Sequence, residues 1–191
     1  MALAGLALDR PIGVRLQTSE GPIHCDLEPR GSPRGVALFV GLATGRAPFR
    51  DPHSGAIAWR PMYSDLAFFR AIPDSLVQSG CPLGNGTGTP GYRIAVEARA
   101  NDAQRLATPC VLFLARYHAP PNRIDPAPPP AGQVIGSQFV IGLNDLSHLA
   151  GQVTVLGSCA DLELVRDVAR RVASGARPVR LGRVSVDGIA D

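Results

Sequence analysis

Two helical segments lie far apart in this chain, and short strand-like segments fill most of the rest. The first spans 32–45, with Ser32 suited to the N-cap, Pro33 to the first helical position and Gly45 to the stop. The second spans 160–175, with apolar residues at helical spacing and a glycine at its end. This order does not fit repeated βαβ units and predicts an antiparallel barrel capped by helices.

The strand predictions rest on alternation of apolar and polar residues between turn signals. The segment 12–29, IGVRLQTSEGPIHCDLEP, predicts a hairpin that turns at Ser19-Glu20-Gly21. Further strands are predicted at 63–73, 75–80, 110–117, 136–143, 152–159 and 177–188. The expected fold class is therefore mainly β, a closed eight-stranded antiparallel barrel with two capping α-helices.

Composition narrows the class of protein. The chain has 191 residues, of which 45% are hydrophobic, and we expect a single domain over 1–191. Its 19 basic residues are all arginine and are spread along the chain, which predicts no nucleic-acid partner. No stretch reaches the ~20 apolar residues of a membrane span. With no signal-peptide pattern, we expect a cytoplasmic protein without membrane contact. We also expect it to be a monomer.

Cysteine spacing and glycine spacing predict no metal or cofactor site. The four cysteines, Cys25, Cys81, Cys110 and Cys159, show no CxxC spacing, and we expect them to be reduced core residues. The segment 86–91 has the G-x-G-x-x-G spacing of a dinucleotide fingerprint, but no helix pattern follows it. A glycine-rich surface loop is the prediction there.

One cation and one amide lie in an apolar segment, AFFRAIPDSLVQSGCP at 67–82. They are Arg70 and Gln78, among phenylalanine, isoleucine, leucine and valine. Arginine is almost never fully buried without a partner. Either Arg70 covers apolar surface at a rim with its aliphatic stem, or it faces a cavity whose ligand supplies an acceptor.

Five segments in this order resemble the cyclophilin-type peptidyl-prolyl isomerases. They are SPRGVALFVGLATG, FFRAIPDSLVQSG, GTGTPGY, GSQFVIGL and HLAGQVTVLG, and the resemblance runs from about Val14 to Val186. It implies an eight-stranded antiparallel barrel with two capping helices. It also implies cis/trans isomerisation of X-Pro bonds in peptides or unfolded protein segments, without a cofactor.

The resemblance also implies site residues. Arg70 holds the position of the catalytic arginine, which donates to the prolyl nitrogen when the bond is twisted. Gln78 and Gln138 hold the positions that bind and orient substrate. The remaining substrate-binding positions are Ser75, Leu76, Ala115, Arg116, Val140, His148, Leu149 and Val153. Ser75 and Val140 replace two pocket phenylalanines of the family, so the aromatic wall around a proline ring is reduced.

Two functions remain open at the level of sequence. The first is an active prolyl isomerase, and the second is a catalytically weak module that binds proline-containing peptides or a partner protein. Arg116 is either a surface charge at a strand end or a groove residue that favours acidic peptides. A proline-rich insertion at about 118–133 is either a surface loop or a lid over the groove.

Overall fold

The computed structural model describes residues 9–116 and 133–189, and its architecture is mainly β. Most of the strands form one curled antiparallel sheet, and β3 pairs with β4 separately. The strands are β1 (Ile12–Thr18), β2 (Gly21–Leu27), β3 (Phe49–Arg50), β4 (Ile57–Ala58), β5 (Leu66–Ala67), β6 (Arg70–Ile72), β7 (Leu76–Ser79), β8 (Arg93–Ala95), β9 (Val111–Arg116), β10 (Gln133–Gly142), β11 (Thr154–Cys159) and β12 (Arg180–Val186). The predicted mainly β, antiparallel architecture is confirmed.

The two edges of the large sheet come together through two residues. The strand order is β5-β12-β1-β2-β11-β9-β10-β7-β6, with β8 also pairing with β10. Only Phe68 and Phe69 separate β5 from β6 in the chain. Phe68 N donates to Val179 O beside β12 at 3.0 Å, and Phe69 N donates to Gln78 O on β7 at 3.1 Å. This segment therefore carries the chain from one sheet edge to the other.

Two of the helices are those expected from the sequence. They are α1 (Pro33–Ala43) and α3 (Leu162–Ser174), and α3 ends at Gly175 with a positive φ of 65°. Ser32 precedes α1 as expected, but its hydroxyl donates to Val155 O at 2.6 Å and does not cap the helix. The cap position therefore ties α1 to the sheet.

One short helix was not expected. It is α2 (Asp102–Leu106), whose start is fixed by Asp102 Oδ2 accepting from Arg99 N at 2.7 Å. Five residues are too few for a recognisable helical period, which is why the sequence pattern missed it. A 3₁₀ turn at Ser147–Leu149 contacts α2.

The two faces of the sheet bury separate groups of apolar residues. On β9, Leu112 and Leu114 belong to the main core beneath α1 and α3, because alternate residues of a strand share a face. The opposite face carries a smaller group, here called the outer cluster. Its members are Leu76, Leu106, Val111, Phe113, Ala115, Val140, Leu146, Val153 and Val155.

The expectation of reduced cysteines is wrong for one pair. Cys25 and Cys159 form a disulfide, while Cys81 and Cys110 are free and buried. The antiparallel pairing of β2 with β11 places Cys25 directly opposite Cys159. The two cysteines are 134 residues apart in the chain, so sequence spacing could not reveal the contact.

Two further sequence expectations concern membrane spans and the proline-rich insertion. Within residues 9–116 and 133–189, no helix has the length and apolar character needed to cross a membrane. The proline-rich insertion at about 118–133 lies, except for its last residue, outside the described residues.

Candidate active site

A cavity of about 700 Å³ lies over the outer cluster. Each residue that the family resemblance singled out lines this cavity: Arg70, Ser75, Leu76, Gln78, Ala115, Arg116, Gln138, Val140, His148, Leu149 and Val153. The structure therefore brings together residues from four strands (β6, β7, β9 and β10), the 3₁₀ turn, and the positions directly before β7 and β11.

A single row of cross-strand partners builds the centre of the site. Arg70 on β6 pairs with Gln78 on β7, Gln78 with Val140 on β10, Val140 with Phe113 on β9, and Phe113 with Val155 on β11. Neighbouring strands lie about 4.8 Å apart, and directly opposite residues point to the same face. The row thus runs from a cation, through an amide, to an apolar floor.

Arg70 is exposed and lies at the rim of the cavity. The apolar segment 67–82 can therefore carry this cation without burying it. Its Nη1 donates to Gln78 Oε1 at 3.3 Å. A guanidinium has five N–H donors. Among the described residues, the neutral amide of Gln78 orients the Arg70 side chain without neutralising it. The positive charge of Arg70 therefore stays available to a ligand in the cavity.

Gln78 and Gln138 form the next links of this hydrogen-bond chain. Gln78 is 7% exposed and Gln138 is 1% exposed, so both amides are effectively removed from water. Gln78 Nε2 donates to Gln138 Oε1 at 2.9 Å. Because a buried amide without partners is costly, each one fixes the rotamer of the next.

The glycine-rich loop anchors the buried end of the chain. Gln138 Nε2 donates to Gly86 O at 2.9 Å and to Gly88 O at 2.8 Å. The backbone N–H groups of the same two glycines each donate to Cys81 Sγ at 3.2 Å. The loop predicted as a surface feature therefore orients Gln138, and Cys81 holds the loop together.

Close backbone contact brings Gln78 and Gln138 side by side. Gly80 has a φ of +85°, and a Cβ there would lie 2.2 Å from Ser137 O. Only glycine fits this position without moving β10 away from the end of β7. The same carbonyl, Ser137 O, also accepts a hydrogen bond from the Tyr63 hydroxyl at 2.9 Å, which fixes the position of β10. Burial raises the pKa of Tyr63 well above its ordinary value, so this donor stays protonated.

The floor contains a phenylalanine that the sequence analysis missed. Phe113 lines the cavity, is 2% exposed and lies directly opposite Val140. The available signal was alternation, which places Phe113 on the same strand face as Ala115. Other lining residues that were missed are Phe69, Ile72, Asn85, Gly86 and Leu146.

The turn that carries His148 and Leu149 is held at its start by Asp145. Ser147 N donates to Asp145 Oδ1 at 2.8 Å. This backbone hydrogen bond, with a second one from the Ser147 hydroxyl, holds the pKa of Asp145 below its ordinary value. His148 is exposed at the rim, whereas Leu149 is half-buried above the outer cluster.

Arg116 lies at the end of β9 and is exposed on the cavity rim. Its Nη1 donates to Gln152 Oε1, and Gln152 Nε2 donates to His148 O at 2.9 Å. Arg116 is therefore tied to the 3₁₀ turn and borders the same cavity as Arg70.

The arrangement combines an apolar floor, two ordered amides and a cation at the rim. Such a site can hold an apolar ring, bind flanking carbonyl groups through amides and direct a fixed N–H donor at one atom above the floor. Residues 13–185 match the family described as "Cyclophilin type peptidyl-prolyl cis-trans isomerase/CLD".

Known proteins agree with this match. The chain is 30% identical to "Peptidyl-prolyl cis-trans isomerase B" of Streptomyces anulatus, over 92% of this chain and 91% of the relative. It is 33% identical to "Peptidyl-prolyl cis-trans isomerase" of Synechococcus elongatus, over 85% and 89% respectively. A solved cyclophilin-type isomerase of Cryptosporidium parvum superposes with a TM-score of 0.70 at 20% identity, over 94% of this chain and 99% of the other. The chain therefore belongs to the cyclophilin-type peptidyl-prolyl cis-trans isomerases.

Proposed function

We propose that this chain accelerates cis-trans isomerisation of X-Pro bonds, with Arg70 donating a hydrogen bond to the prolyl nitrogen of the twisted bond. Rotation about a peptide bond has a barrier of ~18–20 kcal/mol, because the nitrogen lone pair is delocalised into the carbonyl. Twisting localises that lone pair and turns the nitrogen into an acceptor. A donor fixed at this point stabilises the transition state more than the planar ground state.

The observation that carries this proposal is the hydrogen-bond chain from Arg70 to the glycine loop. Arg70 contacts Gln78, Gln78 contacts Gln138, and Gln138 contacts two loop carbonyls. Each link is held by the next, so the guanidinium is oriented before substrate arrives. Preorganisation of this kind is what gives a single donor a large effect on rate.

The floor supports the proposed seat of the proline ring. Leu76, Phe113, Val140 and Val153 are all at least 90% buried and line the same cavity as Arg70. A related Cryptosporidium parvum isomerase was solved in the presence of the dipeptide Ala-Pro, at a TM-score of 0.68. We propose that an X-Pro dipeptide unit occupies the corresponding cavity here.

The alternative is a binding module with little catalysis. It is favoured by Ser75, which is half-buried at the rim and gives no aromatic wall on that side. A looser proline ring would leave Arg70 without a fixed target, whereas peptide binding would remain. We also propose a cytoplasmic location, a monomeric state and action on folding proteins. The Cys25–Cys159 disulfide argues against the cytoplasmic location, because disulfides are rare in reducing compartments.

Exchange NMR on short X-Pro peptides separates the two functions. The cis and trans forms of an unstructured peptide interconvert over tens to hundreds of seconds, so acceleration by an enzyme is easily seen. We expect wild type at substoichiometric concentration to produce exchange within seconds for peptides with several residues before proline. Peptide binding by chemical-shift titration without exchange for any of them would favour the binding module.

A further inference from the structure

The rim of the active-site cavity is positively charged and contains no carboxylate among its described lining residues. Arg70, Arg116 and His148 line it, whereas none of the described lining residues is an aspartate or a glutamate. An uncompensated charge of one sign at a concave site attracts ligands of the opposite sign.

Arg116 is held in place without being neutralised. Its partner Gln152 is a neutral amide, and Gln152 is itself held by the carbonyl of His148. Elsewhere the chain pairs arginine with acid: Arg105 contacts Glu28 at 2.9 Å and Asp102 at 3.2 Å. Among the described residues, no acid lies within ion-pair distance of Arg116. The guanidinium is therefore oriented but keeps its full charge for a ligand.

The position of Arg116 relates it to residues beside the proline. Arg116 follows Ala115, which lines the cavity two residues along β9 from Phe113. Arg70 lies on β6, three strands away from β9 in the sheet, or about 14 Å at ~4.8 Å per strand. The two arginines thus border opposite sides of the floor. If a proline ring sits on this floor, a peptide that runs from it towards β9 brings the residues next to the proline, at 3.8 Å per Cα step, towards Arg116.

We propose that the groove selects X-Pro segments with an anionic side chain beside the proline, and that Arg116 is the residue that determines this specificity. This inference rests on the proposed function, because it needs the proline to occupy the apolar floor. The planar guanidinium fork fits carboxylate and phosphate oxygens equally well. The shared chemistry is an anionic group, from aspartate, glutamate or a phosphorylated hydroxyl.

Matched peptides that differ at one residue test the preference. The set carries Glu, Gln, Lys or phosphoserine, placed directly before or directly after proline, and kcat/KM is measured by exchange NMR at low salt. We expect Glu to exceed Gln about two- to fivefold in the better of the two placements, and Lys to fall below Gln. The Glu preference should shrink at 0.5 M salt, because salt screens exposed charges. If kcat/KM is higher for the phosphoserine peptide than for the Glu peptide, phosphate is the preferred anionic group. If it is higher for the Glu peptide, carboxylate is preferred.

Charge variants assign the preference to one residue. Arg116→Gln should bring the Glu-to-Gln ratio of kcat/KM to about one, and Arg116→Glu should invert it in favour of Lys. Arg177→Gln is the matched control, because Arg177 is exposed, lies outside the cavity and changes net charge equally. Equal rates for Glu and Gln in wild type, or a ratio that survives Arg116→Gln, would overturn the inference.

The same experiment distinguishes failure of the inference from failure of the proposed function. If wild type accelerates no peptide at all, the isomerase proposal fails. The specificity is then read from dissociation constants of the same peptides, measured by chemical-shift titration. A Glu preference in Kd that Arg116→Gln removes would still support the anionic site, whereas its absence would overturn it.

Discussion

Val140 and Phe113 lie directly opposite each other on β10 and β9, and both side chains line the candidate active-site cavity. Residue 140 is where the family resemblance leads one to expect an aromatic ring. Here the ring is one strand further along the same row. The apolar floor therefore keeps a phenylalanine, although neither Ser75 nor Val140 supplies it.

This pairing predicts a compensating swap. Phe113→Val should weaken peptide binding and raise KM, because it removes apolar contact that substrate uses in both ground and transition states. Val140→Phe alone should destabilise the fold by about 1–3 kcal/mol, since Val140 is 4% exposed and a ring there would crowd Phe113 directly opposite. The double variant restores the total volume and should recover much of both losses. The measurements are urea unfolding and KM for one X-Pro peptide.

Additive losses in the double variant would contradict a shared floor. Residues in contact normally show coupling energies of 0.5–3 kcal/mol, whereas independent sites add within about 0.5 kcal/mol. A matched control is Phe139→Val, which removes a buried ring from the main core on the other face of β10. That variant should lose stability without any rescue by Val140→Phe.

How far the sequence predicts this site depends on the type of signal. Alternation along the strand places Gln138 and Val140 on one face and Phe139 on the other, as the structure has them. The same alternation places Phe113 on the face of Ala115, although no position of the family resemblance points to Phe113. Local pattern therefore fixes which face a residue occupies, while its neighbours across the sheet depend on register.

Contacts between segments that are distant in the chain could not be predicted from the sequence. Cys25 meets Cys159, and Gln138 meets the carbonyls of Gly86 and Gly88, only because strand order brings them together. No local period encodes such a pairing. The function of the glycine loop was hidden for the same reason, since its spacing alone resembled a nucleotide fingerprint.

Gln138 should be intolerant of charge. Its Nε2 faces two carbonyl oxygens, so Gln138→Glu replaces a double donor with an acceptor in a site that is 1% exposed. We expect a loss of about 1–3 kcal/mol in unfolding free energy and at least a tenfold drop in kcat/KM. Gln104→Glu, at an exposed position of α2, is the matched control. A Gln138→Glu protein with wild-type kcat/KM would show that the hydrogen-bond chain does not orient Arg70.

Cys81 should act on catalysis at a distance. Cys81→Ala removes the acceptor of two backbone N–H groups, from Gly86 and Gly88, and Gly88 is buried. Unsatisfied buried donors cost about 1–3 kcal/mol each. We expect lower stability and a lower kcat for Cys81→Ala, with partial recovery in Cys81→Ser, whose hydroxyl can accept a hydrogen bond. Equal kcat in wild type and both variants would remove Cys81 from the positioning network.

The disulfide should stabilise the whole fold. It links β2 to β11 across 134 residues, and cross-links of long loops typically contribute about 2–4 kcal/mol. Replacement of both Cys25 and Cys159 by serine should lower the free energy of unfolding by this amount. Thiol counting in denaturant should find two reactive thiols without reductant and four after reduction. Four thiols in freshly purified, unreduced protein would show that the bond is not present in solution.

Arg70 is the residue on which the proposed mechanism depends. Arg70→Ala should lower kcat/KM on an X-Pro peptide by about a hundredfold or more, the usual cost of removing one preorganised donor to a transition state. Arg70→Lys keeps the charge but loses the planar fork held by Gln78, so a loss of about tenfold is expected. Stability should change little in either case, because the side chain is exposed.

The most direct test is exchange NMR on one X-Pro peptide with wild type and Arg70→Ala at equal concentration. Both proteins should bind the peptide with similar Kd, while only wild type should interconvert cis and trans within seconds. Equal exchange rates for the two proteins would contradict the assignment of Arg70 as the donor to the prolyl nitrogen.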